Sequence, residues 1–308
     1  MSADISVIIT TYNDAELLKR AINSVYVQSL TPKEIIVVDD GSLNDDAQKV
    51  VNEFKNNTTI KIFFYKKNNG GPSDARNFGI NKSNCKFITF LDADDEMTIN
   101  SIKKRYAALI KLDERYAVVY ANAFLIKKTK IIKQKFKIVD GYLNENTKLI
   151  GRQKGIPGGS CYYIFKKNIF KEVGGFNIHL SHNEDFELLL RIAKKWKFYG
   201  IDTFACKIYI RSESLSRKNY YKSYEGVEQF LDLAIQNNLL SDNEISIRRK
   251  ENRLSLVKKM IYNNGSWNEI SSYIIEAFIF KKPNSIKEYF IFIINSILLY
   301  LKKINLLN

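Results

Sequence analysis

Apolar residues in the first hundred positions of the chain fall into two alternating rhythms. Short continuous runs, Ile5-Ser6-Val7-Ile8-Ile9-Thr10 first among them, are β-branched and aromatic, as expected of strands covered on both faces of a parallel sheet. Glu34–Val38, Ile60–Tyr65 and Lys86–Leu91 repeat the pattern. Between them, apolar residues recur every three or four positions, as in Leu17, Leu18, Ala21, Ile22 and Val25, which marks an amphipathic helix. Asn13 is expected to cap that helix, with Glu16 three residues on completing a capping box. A further helix is expected over Pro72–Ile80, after Gly70-Gly71, and another over Ser101–Leu112. Strand and helix in this alternation imply βαβ crossovers and a parallel sheet.

Beyond residue 112 the rhythm is mixed. Tyr116–Phe124 and Ile131–Val139 read as strands, the second with Lys133, Lys135 and Lys137 alternating on one face. His182–Trp196 reads as a helix, Phe198–Ile210 mostly as a strand, and the chain from Tyr220 onward as helical. The expected fold class is therefore α/β, a Rossmann-like, mostly parallel sheet flanked by helices, with a mainly α-helical C-terminal region. The boundary is expected near residue 216, dividing 1–216 from 217–308.

Composition narrows this picture. A chain of 308 residues with 45% hydrophobic and 13% aromatic residues can bury a sizeable core. The three cysteines, Cys85, Cys161 and Cys206, have no metal-site spacing, which argues for a reducing compartment. No signal-like segment opens the chain, so a cytoplasmic location is expected. The net charge of +15 favours anionic partners. Six lysines without an acid lie in the eleven residues Lys127–Lys137, either a solvated edge strand or a surface for anionic membrane and lipid diphosphates. A nucleic-acid-binding protein would show a binding module or interleaved basic and aromatic residues; neither is found, so no nucleic-acid partner is expected.

Polar motifs follow the strands, where open α/β sheets bind ligands. Phe90-Leu91-Asp92-Ala93-Asp94-Asp95 places carboxylates at a strand end, where hard Mg²⁺ or Mn²⁺ could be shared with a diphosphate. The plain alternative is an acidic turn capping the next helix. Asp39-Asp40-Gly41-Ser42 could accept from a base or ribose, or simply cap a helix. Gly70-Gly71 lets backbone approach a ligand, and Arg76 on the following helix could meet base or phosphate, though a lone Arg is usually a solvated charge. Glu184-Asp185 opens a helix, as dipole partners or as a general base.

Taken together, these motifs resemble the family 2 inverting glycosyltransferases of the bacterial surface-polysaccharide type, which have a GT-A fold. The resemblance covers residues 4–216, making that segment the expected catalytic domain. It rests on Ser6–Asn13, Val38–Ser42, Gly71–Gly79, Asp92–Asp95, Gly174-Gly175-Phe176 and Glu184-Asp185, in that order and spacing. It implies that Thr10 and Tyr12 line a nucleoside pocket, Asp40 holds the uracil side, and Arg76 sits near base or phosphate. It also implies that Asp92 binds nucleotide, Asp94 is nearest a Mn²⁺ or Mg²⁺ ion with Asp95 adjacent, and Asp185 is the catalytic base beside Glu184. Gly159, within Gly158–Ser160, could shape the acceptor cleft.

The implied partners are a UDP-sugar donor and a glycan acceptor, on family habit a lipid-linked one. One departure stands out: where many relatives have a His before Ser-x-Ser, Arg211 precedes Ser212-Glu213-Ser214. A guanidinium can neutralise a leaving diphosphate but cannot ligate metal. The multiple membrane spans of processive synthases are absent, which favours transfer of a single sugar. A non-catalytic nucleotide-sugar-binding relative is the alternative; intact Asp94 and Asp185 speak against it. The apolar stretch Tyr289–Leu301, flanked by Lys287 and Lys302-Lys303, is too short to span a bilayer. It suits a buried helix or homodimer interface of the C-terminal helices, or a peripheral contact on the inner face of the plasma membrane.

Overall fold

The computed structural model describes residues 2–43, 46–55, 60–151, 155–211, 219–263 and 265–280, with 293, 297 and 301. The chain divides into two compact units, Met1–Arg211 and Ser212–Asn308.

In the first unit, β1 (Ser2–Thr11), β2 (Thr31–Asp39) and β3 (Lys61–Lys66) pair in parallel through the helices α1 (Ala15–Tyr26) and α2 (Ala47–Lys55). After α3 (Gly71–Lys82), β4 (Phe87–Asp92) pairs in parallel with the other edge of β1. The order β3-β2-β1-β4 thus reverses direction at β1, and the β1/β4 crevice is where a doubly wound sheet takes ligands. Alternation along β1 explains the layering. Ala3, Ile5, Val7 and Ile9 join Leu18, Ala21, Ile22 and Val25 of α1 and Val51 of α2 in one buried cluster. Ile8 points the other way, toward α3, where a Cβ on Gly79 would lie 2.4 Å from its Cγ2. Gly79 therefore sets how closely α3 and its Arg76 approach the sheet.

Beyond β4 the sheet becomes mixed. Further on, β9 (Tyr163–Lys166) lies antiparallel between β4 and β6 (Tyr116–Lys127), and β10 (Lys197–Tyr209) returns parallel to β6. Three short strands complete the sheet: β5 (Glu96–Met97) and β8 (Asp140–Gly141) on β10, and β7 (Lys130–Gln134) on β6. The helices are α4 (Ser101–Leu109), α5 (Ile169–Val173) and α6 (Glu184–Ala193). Phe90 of β4 meets Phe165, Phe170 and Phe176 edge-on, locking β9 and the turn after α5 to the sheet.

Two local expectations are corrected. Asn13 does not cap α1: its φ is 54°, Asp14 takes the cap position, and the Asn13 side chain accepts from Leu43 N–H at 3.0 Å. The strand expected over Ile131–Val139 stops at Gln134. There the chain leaves the ladder because the Asn122 side chain accepts from Phe136 N–H at 2.8 Å, and Tyr120 Oη from Val139 N–H at 3.1 Å.

The second unit is helical: α7 (Tyr220–Gln236), α8 (Asp242–Tyr262) and α9 (Trp267–Phe280). Asn219 and Ser241 cap α7 and α8 through the amides of Lys222 and Glu244. Leu256, Val257, Met260 and Ile261 pack on Ile270 and Ile274. No helix of the described residues is long and apolar enough to cross a membrane. Ser212–Ser216, with the expected boundary, and nearly all of Tyr289–Leu301 lie outside the described residues.

Candidate active site

Four segments distant in sequence converge where β1 and β4 end. Thr10 is the penultimate residue of β1, Asp92 closes β4, Arg76 projects from the second turn of α3, and Glu184 and Asp185 open α6. Arg76 is their centre. Its guanidinium is buried and donates to Asp92 Oδ1 and Glu184 Oε1, each at 3.0 Å, with Asp185 Oδ1 at 3.8 Å. Thr10 Oγ1 donates to the same Asp92 oxygen at 3.4 Å. The Phe176 ring lies 5.5 Å from the guanidinium carbon, adding a cation–π contact. Burial alone would lower the Arg76 pKa, but the carboxylates of Asp92, Asp185 and Glu184 outweigh it and raise it. Arg76 is thus a permanent cation here and not the solvated charge a lone Arg usually is.

Three carboxylates surround one cation, and the surplus falls on Asp185. Burial pushes its pKa up to about 7 against the pull of Arg76, with Glu184 and Asp92 adding to the rise and the Ser160 hydroxyl opposing it. Asp185 Oδ1 is buried without a hydrogen-bond partner among the described residues. A carboxylate so placed can hold and release a proton near neutrality. The residue before α6, Asn183, has φ 63°, so the helix starts from a left-handed turn that aims Glu184 and Asp185 inward. Opposite Asp185 is Gly159, where a Cβ would lie 3.0 Å from the Tyr162 ring and 3.9 Å from Asp185 Oδ2. Gly159 therefore keeps the approach to the carboxylate open.

The acidic turn after β4 separates three roles. Asp92 is held by Arg76 and Thr10. Asp94 stands at the rim, where burial and Asp92 raise its pKa against Arg211, whose Nη1 is 3.4 Å away. Asp95 turns inward. Its Oδ1 accepts from Tyr209 N–H at 2.9 Å, and burial with the Asp92 charge pushes its pKa up to about 8. No cage of three metal-ligating side chains forms among the described residues. Mg²⁺ bound beside phosphates needs only one or two carboxylates, and the half-exposed Asp94 suits that; the inward Asp95, with one oxygen committed to Tyr209, suits it less.

Asp40 is buried and spoken for. Gly70 and Gly71 N–H donate to its two oxygens at 3.0 and 2.8 Å, and Lys67 Nζ lies 2.8 Å away. It thereby shapes the loop that launches α3. Tyr12, directly after β1, is 44% exposed. Neighbouring Asp39 holds Ser42 through both amide and hydroxyl, at 2.9 and 2.6 Å.

Several contributors carry no signal in sequence spacing. Asp14 receives both terminal nitrogens of Arg211 at 3.2 Å, placing that guanidinium over Asp94. Arg20 donates to Asp94 O at 2.5 Å and lies 3.8 Å over the Tyr209 ring. Asn77 exchanges two 2.8 Å hydrogen bonds with the backbone of Phe176, fixing the ring beneath Arg76. Arg191 differs from these: its place six residues after Asp185 matches a recurrent family arginine expected to be structural. It ties α6 to the turn at Gly174-Gly175, donating to Gly175 O at 2.7 Å. His179 and His182 belong to no metal-ligating group among the described residues, and the three cysteines are free and buried.

The model of glycosyl transferase family 2 matches residues 6–174, and the chain belongs to that family. A GalNAc(5)-diNAcBac-PP-undecaprenol beta-1,3-glucosyltransferase of Campylobacter jejuni is 30% identical over 236 residues, 75% of this chain and 72% of the relative. An uncharacterised glycosyltransferase of Rickettsia conorii is 31% identical over 219 residues, 70% of this chain but 35% of the relative, so the chain spans about a third of that protein. Among solved structures, residues 1–349 of S. aureus TarS in complex with UDP-GlcNAc superpose with a TM-score of 0.64 at 20% identity, covering 90% of this chain and 80% of that one. That likeness shows the fold: the GT-A α/β architecture with helices following it.

Proposed function

We propose that the chain is an inverting glycosyltransferase moving one sugar from a UDP-hexose or UDP-N-acetylhexosamine to a hydroxyl of a lipid-linked glycan in surface-polysaccharide synthesis. The observation that carries this reading is Asp185, a carboxylate with its pKa pushed up to about 7 and set beside Arg76 where β1 and β4 end. In this reading Asp185 takes the proton of the acceptor hydroxyl as the oxygen attacks the anomeric carbon. The new C–O bond forms on the face opposite the departing diphosphate, whose own C–O bond breaks, so an α-linked donor gives a β-linked product. Arg76 holds Asp92, Glu184 and Asp185 in register, so the charge that stabilises the transition state is in place beforehand. Asp94, with Asp92 and Asp95 adjacent, would hold Mn²⁺ or Mg²⁺, whose charge would offset that of the diphosphate. Arg211, anchored by Asp14, adds a second cation at the same rim.

The undecaprenol-linked acceptor in the C. jejuni relative's name and the UDP-GlcNAc in the TarS complex support the choice of substrates. The test is a screen of UDP-sugars with a lipid-linked glycan, measuring released UDP in Mn²⁺, Mg²⁺ or EDTA and reading product configuration by NMR. Release of UDP with a β-linked product, lost in EDTA, is expected. No turnover or binding of any UDP-sugar under all metal conditions overturns the reading.

A further inference from the structure

The hairpin of β6 and β7 carries charge that the sugar-transfer site does not use. Lys127, Lys128, Lys130 and Lys133 are all exposed. Among the described residues no carboxylate pairs with these four; the next lysine, Lys135, meets Asp202 at 3.4 Å. Between them stand Ile131 and Ile132, 68% and 45% exposed. Lysines on an edge strand commonly protect it from pairing with other chains. That role requires neither exposed isoleucines nor the backbone found at the tip. Lys127 lies directly opposite Lys130 in the ladder, a like-charge pair that weakens the hairpin. Lys128 has φ 53°, and every other left-handed non-glycine residue described, Asn13, Asn144, Asn183 and Asn238, is an asparagine. The tip thus accepts both repulsion and strain to keep its cations together.

We infer that the β6–β7 hairpin docks on an anionic lipid bilayer. The lysines meet lipid phosphates while Ile131 and Ile132 enter the headgroup boundary, the combination that holds peripheral proteins on acidic membranes. The contact is read from this surface alone; it rests on the transferase reading only for its purpose, delivery of a lipid-borne acceptor. The connection to the site is short. Gln134, the last residue of β7, accepts from Tyr162 Oη at 3.2 Å, and Phe136 meets the Tyr162 ring edge-on at 5.1 Å. Tyr162 is the ring beneath Gly159, beside Asp185. The strand that bears the lysines therefore also braces the acceptor side of the site.

The test is co-sedimentation of the full chain with vesicles of phosphatidylcholine alone or mixed with phosphatidylglycerol. The wild type should bind only the anionic vesicles, and less as salt rises. Replacing Lys127, Lys128, Lys130 and Lys133 together by Gln should lower the partition constant about tenfold or more. Ile131→Ser with Ile132→Ser should lower it several-fold at unchanged charge. Both variants should keep the wild-type rate toward a water-soluble acceptor, since all six side chains are exposed and outside the site. Equal binding to both vesicle types, no binding, retention on RNA but not on vesicles, or unchanged partition of the lysine variant overturns the inference. Loss of UDP release with the soluble acceptor in the wild type would overturn the transferase reading and leave the vesicle result to judge the hairpin.

Discussion

The crevice at the ends of β1 and β4 and the tip of the β6–β7 hairpin both crowd like charges, and they resolve the crowding in opposite ways. In the crevice three carboxylates close on one buried guanidinium, and the crowding pushes the Asp185 pKa up to about 7. At the hairpin, four lysines stand in water with no carboxylate partner among the described residues, and the crowding is relieved by solvent and ions. Where solvent is scarce, repulsion becomes a pKa shift; where it is plentiful, repulsion becomes a field that a partner of opposite charge can use. Each place gives up stability, and each is where we assign a function.

The comparison can be broken from either side. The largest effect is expected from Arg76→Met, which leaves Asp92, Glu184 and Asp185 without their cation. Removing one partner of a buried pair typically costs about 3 kcal/mol or more. Denaturant unfolding should show that loss at pH 8 and a smaller one at pH 5, where Asp185 can take up a proton. An equal loss at both would mean that packing, not charge, is what Arg76 supplies.

Asp185→Asn should lower turnover about 10²-fold with donor binding retained, as expected on removing a general base. Wild-type kcat/KM should climb through pH 7 and level off above it, because the base must be deprotonated and its pKa is about 7. Stability runs the other way. Folding raises this pKa above that of an unfolded aspartate, so the unfolded chain releases the proton first and native stability falls as pH rises from about 4 toward 7. Asp185→Asn removes that fall. Its thermal midpoint should exceed the wild type's above pH 7 and match it near pH 4.

The smallest effect is expected at the hairpin. Lys128→Asn keeps the left-handed turn with a residue suited to it and removes one charge from the tip, so it should stabilise the chain by about 0.5 kcal/mol, read from the urea midpoint. A destabilised variant would mean that the Lys128 side chain makes a contact worth more than the strain it brings.

Much of the fold was legible because its strands are written in continuous β-branched runs and its helices in amphipathic ones. The strands from Ile5, Glu34, Ile60 and Lys86 needed only hydrophobic periodicity. Strands β5 and β8 are two residues long, and β9 is four residues set among turns, too short for any period to register. The antiparallel insertion of β9 between β4 and β6 joins segments far apart in the chain, which no local pattern encodes. The Asn13 capping box failed for a related reason: the loop at Ser42 and Leu43 claimed Asn13, and tertiary contact outweighed a weak local preference.

The site residues divide along the same line. Sequence alone determined which carboxylates and which arginine stand at strand ends and helix starts, because motif order and periodicity place them there. Tertiary structure alone decided what each faces: Asp40 turned onto its own loop, Asp95 onto Tyr209, Asp94 left at the rim beneath Arg211 and Asp14. It also decided that Arg76 must hold Asp92, Glu184 and Asp185 at once, residues as much as 109 positions from it along the chain. Charge, pattern and turn chemistry act over a few residues and are readable in a line of letters. Burial and the sharing of one cation among three acids are properties of a closed volume, and they exist only after the chain has folded around them.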